Sequence, residues 1–488
     1  MTSSASTSAS DTTVDVLSLE TRGIEPVPDD ERNGNPLQLF WVWFAANISI
    51  LGLPLGATLV VFTGLNIWQA LIVALVGAAG SFAIVGIVSI AGKRGGAPSL
   101  TLSRATFGVR GNIGPTLVSL MSRLGWETVN TTTAAFVLLS IFTLIFGGSG
   151  VAKDHAVVTI VSIVVFIVLT LVVSGLGHAA ILVIQRWSTW IFGALNIFVA
   201  IFLIATVDWT AVTSTPAGSI SAMVIGVGTI AAGTGIGWAN AGADMSRYQR
   251  KSVGAGSLVL SSAAGAGIPL VLLIGLGALL SAGDNSLASA SDPVAAIREI
   301  LPAWMAVPYL ITAFGGLLLS NHLSVYSASL TTLTLGFRIK RVYAVGVDVF
   351  VTFVGAIYFM LISDGFYGPF ITFISVLAVP LTAWLGVFMT DMIKRKTYDA
   401  ASIMNVGNTS RYWYTGGVNW YAFASWAAGI VVGFLFTAIT VDGDVIYTGP
   451  LSGSWIGDNG LGWVASFVIA AGLYLVTGGA RRTETVSR

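Results

Sequence analysis

The stretch NISILGLPLG at residues 47–56 interrupts the first hydrophobic segment of the chain with two glycines and a proline. The sixth hydrophobic segment carries similar interruptions, GVG at 226–228 and GTGIGW at 233–238. Glycine and proline weaken a helix, and a bilayer offers no water to the backbone groups that such a break leaves unbonded. A break is therefore tolerated only where it lines a polar cavity or is buried in protein.

The two interruptions occupy matching places, because they are five hydrophobic segments apart. Each one alone is explained equally well by close helix packing, since small residues also let neighbouring helices approach. As a pair they match the pattern of transporters built from inverted repeats, in which broken helices form the binding site at the middle of the membrane. We therefore predict that helices 1 and 6 are broken and line a site.

The composition indicates a membrane protein. Of the 488 residues, 55% are hydrophobic and only 9% are charged, against about 25% charged in a typical soluble domain. The mean hydropathy is +0.85, which is typical of a polytopic membrane protein. A net charge of +1 argues against a nucleic-acid partner, since no basic surface remains to neutralise phosphates. The absence of cysteine excludes disulfides and thiolate metal sites.

Windows of about 20 apolar residues, enough to cross a bilayer core, predict twelve membrane spans. They lie at 37–62, 66–91, 113–146, 156–176, 180–207, 219–243, 253–281, 303–335, 341–363, 369–393, 417–440 and 461–478. The first five spans and the next five form two repeats, 37–210 and 219–396, and an odd number of spans per repeat inverts the second one. Residues 412–478 add spans 11 and 12, and residues 1–36 and 479–488 are predicted tails.

Basic residues set the predicted orientation, because Lys and Arg accumulate in cytoplasmic loops. With the N-terminus inside, 20 of the 23 basic residues fall on the cytoplasmic side. Lys153 and Arg298 fall outside, and Arg123 falls within the third span. The prediction is a multi-pass protein of the cell membrane with both termini cytoplasmic. Since the sequence has no GxxxxGK[ST] phosphate-binding motif, transport is expected to run on an ion gradient.

The third span carries charged and aromatic residues that a membrane helix rarely holds. Arg123 and Glu127 are four residues apart on one helix face, which predicts an internal ion pair. Trp126 and Asn130 have the same spacing on a face about 60° away. Most membrane tryptophans lie in interfacial belts, but Trp126 lies well inside its span and Trp238 lies at the second break.

The eighth span contributes a polar cluster, Ser320-Asn321-His322, in an otherwise apolar stretch. Asn321 alone is better explained by hydrogen bonding between helices, and His322 fits either a proton carrier or a packing residue. Two tryptophans together with the amides of Asn130 and Asn321 predict recognition of a planar heterocycle. Flat rings stack on flat ligands, and each amide presents a donor beside an acceptor.

Short stretches of sequence, spread from about Arg22 to the last span, carry a family resemblance. They are GIEPVP at 23–28, FAANIS at 44–49, SRATFG at 103–108, GW at 125–126, GW at 237–238, ADMSRY at 243–248 and GGVNW at 416–420. In this order and spacing they resemble the nucleobase–cation symporter family, which includes purine–cytosine permeases and the hydantoin permease. The lead-in and the first span are most similar to the purine–cytosine branch.

The resemblance implies an all-α, LeuT-type fold of two inverted five-helix repeats, with helices 1 and 6 broken. It also implies roles for residues that match the family's motifs. Trp126 and Trp238 would stack on the ligand, Asn130 and Asn321 would bond to it, and a backbone group of Gly237 would meet it.

The resemblance further implies where a coupling cation would bind, and here the sequence departs from the family. Sodium-coupled members use backbone carbonyls at positions that match Ala45 and Ile48, together with two adjacent hydroxyls in span 8. This chain has Gly315 and Gly316 in place of those hydroxyls, with Thr312 nearby. Hard cations require several oxygen ligands, so the sequence favours a proton over sodium.

The predicted function is therefore import of a purine or cytosine by proton symport, with Glu127 as the proton carrier, Arg123 as its partner and His322 in reserve. No cofactor and no resident metal are predicted, and the sequence leaves the oligomeric state open. The alternatives are symport of another planar heterocycle (allantoin, a hydantoin or a pyrimidine vitamin precursor) and coupling to sodium. From a different class, a channel or a substrate-sensing receptor is a further alternative, and the receptor is disfavoured because no tail or loop is expected to form an output domain. A membrane enzyme is disfavoured because three histidines and no cysteine form no recognisable catalytic set.

Overall fold

The computed structural model describes residues 22–175, 178–290, 292–337, 339–363, 365, 367–441 and 444–478. The tail predicted at 479–488 and most of the tail at 1–36 lie outside these ranges. Four of the basic residues that set the predicted orientation also lie outside them, namely Arg338, Arg481, Arg482 and Arg488. The orientation of the termini stays a prediction.

Helices make up most of the described chain. They are α1 (Pro36–Asn47), α2 (Gly52–Val61), α3 (Ile67–Ala74), α4 (Gly80–Gly95), α5 (Ser99–Phe107), α6 (Ile113–Phe146), α7 (Ala156–Gly175), α8 (His178–Ala205), α9 (Trp209–Ser214), α10 (Ile220–Ala231), α11 (Gly242–Ser246), α12 (Ala255–Leu280), α13 (Ser286–Ser289), α14 (Pro293–Ile300), α15 (Ala306–Thr334), α16 (Arg341–Ile357), α17 (Tyr367–Lys394), α18 (Ala400–Met404), α19 (Trp420–Leu435), α20 (Trp455–Asp458) and α21 (Gly462–Val476). Single π-helical turns lie at Leu75–Ala79, Ala232–Ile236 and Tyr358–Ile362, and 3-10 turns lie at Asp29–Glu31, Ala152–His155, Ala239–Ala241 and Ala303–Met305.

Nine helices within the described ranges are long and apolar enough to cross a membrane, and α1 with α2 forms a further candidate span bent by 65°. Two shorter apolar helices, α19 and α21, complete the order of the predicted windows. They have 16 and 15 residues, fewer than the roughly 20 that cross a bilayer core. The helical membrane fold is confirmed, and twelve crossings remain the prediction.

Large apolar side chains are exposed along the outer faces of the long helices. On α7 the exposed valines recur at the helical period, at Val157, Val161, Val164, Val168 and Val172. A soluble protein rarely exposes so continuous an apolar surface. This face is suited to contact with lipid.

The predicted eleventh window, 417–440, is wrong at its C-terminal end. Helix α19 ends at Leu435, and Ala438–Val441 forms strand β1, which pairs in antiparallel fashion with β2 (Asp444–Thr448). β-branched residues fit a strand better than a helix, and Ile439, Thr440 and Val441 are all of this kind. The hydroxyl of Thr372 on α17 donates to the Thr440 carbonyl at 2.8 Å, which holds the hairpin against the bundle.

The first predicted break is present between α1 and α2. The Asn47 side chain turns back and donates to the Trp43 carbonyl at 2.8 Å, and Ile48 leaves the helical region with ψ at 37°. Helix packing explains the glycines that follow, because a Cβ on Gly56 would lie 1.9 Å from the carbonyl oxygen of Ile274 on α12. The two explanations of this stretch therefore hold together: the chain breaks here, and its glycines also allow close packing.

The break predicted at 226–228 is wrong. Helix α10 runs through these residues without interruption. Gly226 lies against Val73 and Leu59, where an added Cβ would come within 3.1 Å of either side chain. At this stretch the packing explanation is the correct one.

The break predicted at 233–238 is present and is centred on Thr234, whose φ of −131° and ψ of −107° are not helical. Ser81 of α4 satisfies the freed backbone, since its hydroxyl accepts from the Gly235 N–H at 3.1 Å and lies 3.2 Å from the Thr234 hydroxyl. A Cβ on Gly235 would lie 2.4 Å from the Ser81 backbone, so only glycine fits.

Helix α6 organises the centre of the molecule, because it packs against α7, α15, α16 and α17. The second break packs against α4 and α17. Asn240, just after the break, donates to the Ser119 hydroxyl of α6 at 2.6 Å. The middle of α6, the second break, α15 and α17 therefore meet around one region.

Candidate substrate site

Trp126 and Gly237, both predicted site residues, lie side by side. A Cβ on Gly237 would be 2.8 Å from Trp126 Nε1, so glycine at this position lets the indole approach the broken helix. The ring of Phe370 on α17 meets the edge of Trp126, with centroids 5.0 Å apart. Trp126 is only partly buried, so part of its ring remains accessible.

The predicted ion pair between Arg123 and Glu127 is wrong. The fully buried Arg123 instead donates from Nη2 to the Gly237 carbonyl, and its guanidinium lies 4.2 Å above the ring of Trp238. No carboxylate of the described chain lies within 4.0 Å of it. A helix break frees a backbone carbonyl and an indole face attracts a cation, and these two attractions turn Arg123 away from Glu127.

Trp238 lies in the predicted place at the second break and is almost fully buried. Its ring packs edge-on against Trp43 of α1, with centroids 5.5 Å apart. The guanidinium of Arg123 covers one face. The indole therefore joins both broken helices to α6.

Glu127 faces α16 rather than Arg123. Its Oε2 accepts a hydrogen bond of 3.3 Å from Thr352, and its Oε1 has no hydrogen-bond partner within 3.5 Å in the described chain, with the Ser324 hydroxyl of α15 as a nearby donor. Asp348, one turn before Thr352, is also buried; its Oδ1 accepts from Thr332 at 3.1 Å and its Oδ2 has no partner among the described residues. Sequence reasoning missed Asp348, although a lone aspartate inside the ninth apolar window was the available signal.

The two predicted amides differ in how far they are already bonded. Neither amide atom of the buried Asn130 has a hydrogen-bond partner within the described ranges. Asn321 donates from Nδ2 to the Thr170 hydroxyl of α7 at 3.1 Å, and only its Oδ1 lacks a partner there. The amide of Asn130 is thus entirely unbonded within the described chain, whereas the amide of Asn321 bridges two helices.

His322 is held on both sides of its ring. Nδ1 lies 2.8 Å from the Leu318 carbonyl of its own helix, and Nε2 lies 3.2 Å from the side-chain nitrogen of Gln185 on α8. Since a carbonyl can only accept, Nδ1 carries the proton and Nε2 accepts from the amide. These contacts agree with the packing role, and the proton-carrier role has no support in them.

Few side-chain oxygens lie around the position at which the family resemblance would place sodium. Ala45 and Ile48 are buried beside α15, and the Ile48 carbonyl lies 2.5 Å from where a Cβ of Gly316 would be. The ring of Phe192 fills the space beside Gly315, 2.1 Å from a Cβ built there. Thr312 gives its hydroxyl to the Pro308 carbonyl of its own helix at 2.8 Å. The Ile48 carbonyl therefore faces Gly316, neither Gly315 nor Gly316 brings a side-chain oxygen, and the Thr312 hydroxyl is bonded within its own helix.

A different arrangement holds the end of α17, here called the anchor cluster (Thr106, Asp391, Arg395 and Tyr474). Asp391 accepts from Thr106 at 2.9 Å, from Arg395 Nε at 2.7 Å and from the Tyr474 hydroxyl at 2.9 Å. Both carboxylate oxygens are therefore bonded, and the cluster ties α5, α17 and α21 together. Because every polar group of Asp391 is bonded, the anchor cluster is suited to stabilising the fold rather than to binding a ligand.

Comparison with solved structures defines the class of protein. The closed form of Mhp1, a nucleobase-cation-symport-1 family transporter with bromovinylhydantoin bound, has a TM-score of 0.73 over 96% of this chain and 100% of that one, at 18% identity. Its inward-facing form has a TM-score of 0.66, also at 18% identity, over 96% and 99%. A Na⁺-coupled sialic acid symporter gives 0.56 over 92% and 90%, at 12% identity. The chain has the LeuT-type transporter fold that was expected.

Sequence comparison then gives the family. A family described as permeases for cytosine/purines, uracil, thiamine and allantoin matches residues 26–454. YxlA of Bacillus subtilis, provisionally named a purine-cytosine permease, is 26% identical over 470 residues, 94% of this chain and 96% of YxlA. The purine-cytosine permease FCY2 of Saccharomyces cerevisiae is 29% identical over 288 residues, 57% of this chain and 50% of FCY2. The chain belongs to this family of nucleobase–cation symport transporters.

Proposed function

We propose that this chain imports a planar nucleobase, a purine or cytosine, by proton symport through alternating access. One observation carries the proposal: buried polar atoms without partners gather on one face of α6. Both amide atoms of Asn130 and two nitrogens of Arg123, two helical turns away, have no partner in the described chain. Almost all buried polar groups in proteins are bonded, so such a concentration suits a site that a ligand completes.

The aromatic residues around these atoms favour a flat ligand. Trp126 keeps part of its ring accessible, and the guanidinium of Arg123 lies over one face of Trp238. Each indole could stack on a heterocycle, a contact worth about 1–3 kcal/mol per base in nucleic-acid sites. The purine–cytosine names of YxlA and FCY2 support a nucleobase within this class.

A second planar heterocycle remains the runner-up substrate. The family description includes uracil, thiamine and allantoin, and the Mhp1 structure holds a hydantoin. These rings could also stack on Trp126 and Trp238 and form hydrogen bonds with the free amide of Asn130. Measuring the binding of both nucleobases and these other heterocycles would distinguish the two candidate substrate classes.

The proposed coupling ion is the proton, carried by Glu127. Glu127 and Asp348 are buried carboxylates with one unbonded oxygen each, and no cation of the described chain lies within 4.0 Å of either. Two buried negative charges that repel each other, with Arg123 beyond ion-pair distance, are costly in a medium of low dielectric constant. A proton on Glu127 would remove one charge and supply an O–H donor, so its uptake can be linked to ligand binding on the same helix.

Sodium is the less favoured ion because of the residues at its expected position. The Ile48 carbonyl meets the backbone of Gly316, where a hydroxyl would be needed, and the Phe192 ring occupies the space beside Gly315. Too few side-chain oxygens remain there for a hard cation.

Reconstituted liposomes test the proposal directly. Radiolabelled adenine, hypoxanthine and cytosine are offered with an inward proton gradient, with or without sodium, and uptake is expected to follow the proton gradient alone. The Glu127→Gln variant should still bind base at equilibrium but should not concentrate it. Glu31→Gln, a change at an exposed carboxylate paired with Arg22, is the matched control and should behave as wild type.

Two results would overturn parts of the proposal. Uptake that requires sodium and is unaffected by collapse of the pH gradient would contradict proton coupling. Accumulation of allantoin or a hydantoin in the absence of any nucleobase uptake would favour the runner-up.

A further inference from the structure

Asp348 is a second buried carboxylate beside the proposed proton carrier. It lies on α16 one helical turn before Thr352, whose hydroxyl is 3.3 Å from Glu127 Oε2. Asp348 is close enough for its negative charge to repel that of Glu127. Thr332 of α15 donates to Oδ1 of Asp348 at 3.1 Å, while Oδ2 has no hydrogen-bond partner in the described chain. One oxygen of each carboxylate is therefore open to a proton.

Arg123, Glu127 and Asp348, here called the charge triad, are all buried, and their charges do not balance. Arg123 and Glu127 attract each other through space, although no carboxylate oxygen of the described chain lies within 4.0 Å of Arg123. These two charges alone would sum to zero. Asp348 adds one surplus negative charge, which is strongly unfavourable in a medium of low dielectric constant.

The elements packed against Asp348 offer no further cation beside it. Helix α16 packs on α6, α7 and α15, and α7 carries no ionisable side chain. On α15, His322 is neutral, since one ring nitrogen donates to the Leu318 carbonyl and the other accepts from Gln185. The other ionisable groups of α15, of α16 outside the triad and of the π-helical turn that follows are Arg341 and ordinarily neutral tyrosines, namely Tyr309, Tyr326, Tyr343 and Tyr358.

Arg341 lies too far along α16 to balance Asp348. It begins this helix, seven residues and about 10 Å of helix before Asp348. Its guanidinium donates to the Ser174 carbonyl near the end of α7. The charge of Arg341 is therefore held at one end of the span, whereas the surplus charge lies inside it.

The hydroxyl of Thr352 indicates where a proton fits. It has one proton and two acceptors within reach, the Asp348 carbonyl at 2.9 Å and Glu127 Oε2 at 3.3 Å. The nearer carbonyl leaves the Glu127 carboxylate weakly bonded. A protonated Glu127 would donate its own O–H to Thr352, so that both contacts are satisfied. The fully buried Ser324 hydroxyl, which has no partner in the described chain, lies near Glu127 as an additional partner.

Resting on the proposed proton symport, we propose that Asp348 creates the proton-binding site by adding a surplus negative charge to Arg123 and Glu127. One proton from solution, bound to an oxygen of either carboxylate, neutralises the charge triad. Without Asp348 the other two charges already balance, and the site requires no proton. Proton and base are linked because Arg123 also contacts Gly237 and Trp238 of the proposed substrate site.

Accumulation and exchange, measured in parallel on liposomes that contain the full chain, test this role. Radiolabelled adenine, hypoxanthine and cytosine are offered with an inward gradient of one pH unit at zero membrane potential, where one proton per base supports at most about tenfold accumulation. Exchange of labelled for unlabelled base at equal pH needs no net proton movement. Asp348→Asn should keep exchange and lose accumulation, so that the internal-to-external ratio falls to about one. Asp348→Glu should restore accumulation because it restores the charge.

Asp391→Asn is the matched control, because it makes the same chemical change at another buried carboxylate. Asp391 belongs to the anchor cluster, where both of its oxygens are bonded and Arg395 balances its charge. The change should lower the amount of folded protein. In the protein that folds, the ratio of accumulation to exchange should equal that of wild type.

The proton-to-base ratio of wild type decides the inference if Asp348→Asn fails to fold. A pH-sensitive dye inside the liposomes should record one proton entering with each base. Two protons per base would overturn the role of Asp348 and leave proton symport intact. The same holds for wild-type accumulation in folded Asp348→Asn, or for equal losses of accumulation and exchange. Base uptake without proton entry, or with sodium entry in its place, would overturn the proposed function itself.

Discussion

Two buried arginines of this chain have opposite surroundings. Arg395, in the anchor cluster, donates to Asp391 at 2.7 Å and to the Ala105 carbonyl at 2.8 Å. Arg123, on α6, donates only to the Gly237 carbonyl and leaves two nitrogens without a partner in the described chain. Burial is similar in the two, so the difference lies in how completely they are paired. The fully paired Arg395 stabilises the fold, whereas the unpaired N–H groups of Arg123 are left to form hydrogen bonds with a ligand.

The buried carboxylates repeat this contrast. Asp391 accepts three hydrogen bonds through both of its oxygens. Glu127 and Asp348 each leave one oxygen without a partner among the described residues. The comparison therefore concerns two regions, a saturated anchor cluster at the end of α17 and an open polar face on α6.

The largest effect is expected from breaking the anchor cluster. Asp391→Asn leaves Arg395 as an uncompensated buried charge, and removal of one partner from a buried pair typically costs about 3–5 kcal/mol. We expect a marked fall in the thermal unfolding temperature in detergent, with the order of base affinities unchanged in protein that remains folded.

A double variant sharpens this test. Asp391→Asn combined with Arg395→Met removes both charges, so it should be less destabilised than Asp391→Asn alone. If the single variant unfolded at the wild-type temperature, the anchor cluster would not be the stabilising element described.

The next largest effect, a loss of base affinity, is expected from removing the two proposed stacking rings, Trp126 and Trp238. Trp126→Ala and Trp238→Ala should each weaken base binding by about 1–3 kcal/mol, or roughly 5-fold to 150-fold. Titration calorimetry on folded protein measures the loss. Trp68→Ala changes an outward-facing ring that is 73% exposed and should have no effect. Wild-type affinity in either site variant would make that tryptophan a packing residue.

A smaller effect separates the two amides. Asn130→Leu should weaken binding by about 1–2 kcal/mol, since a polar group of the base then loses its partner in a dry site. Asn321→Leu should cost less binding energy, because one of its atoms already bonds to Thr170. Competition by a panel of bases should show a changed order for Asn130→Leu. An order unaltered in both variants would remove the amides from the recognition site.

The smallest effect is expected at the hairpin. Thr372→Val removes the hydrogen bond to the Thr440 carbonyl, which is worth at most about 1 kcal/mol at an exposed position. The unfolding temperature should fall slightly and base affinity should stay constant. A loss of affinity would mean that the hairpin takes part in the site.

Much of the fold could be predicted from the sequence because hydropathy and helix breakers are local signals. Helix α6 has the bounds of its predicted window, 113–146. Failures occurred where two physical explanations share one signal. Glycines occur both at helix breaks and at close helix contacts, so residues 226–228 were wrongly predicted to be a break. An apolar run of β-branched residues fits either a membrane span or a strand, so residues 438–440 were wrongly predicted to belong to a span.

The candidate site was less predictable, because side-chain partners depend on tertiary structure. Helical spacing correctly placed Arg123 and Glu127 on one face of α6 but could not reveal that the broken helix offers Arg123 a carbonyl and an indole. Asp348 was missed because its importance comes from Glu127, which is 221 positions away in the sequence and is brought near it by the packing of α16 on α6. Ser81, which caps the second break, had no distinguishing signal at all.

The serine contacts of α4 have a mechanical consequence. Ser81 bonds to Gly235 in the second break, and the Ser89 hydroxyl donates to the Gly242 carbonyl at 2.9 Å. The Ser246 hydroxyl donates in return to the Ser89 carbonyl at 2.8 Å. Along one side, the unwound segment and the following helix α11 are therefore both bonded to α4. A tilt of α4 would carry the break and α11 with it, and the bonds that join Asn240 and Gly237 to α6 would then have to rearrange.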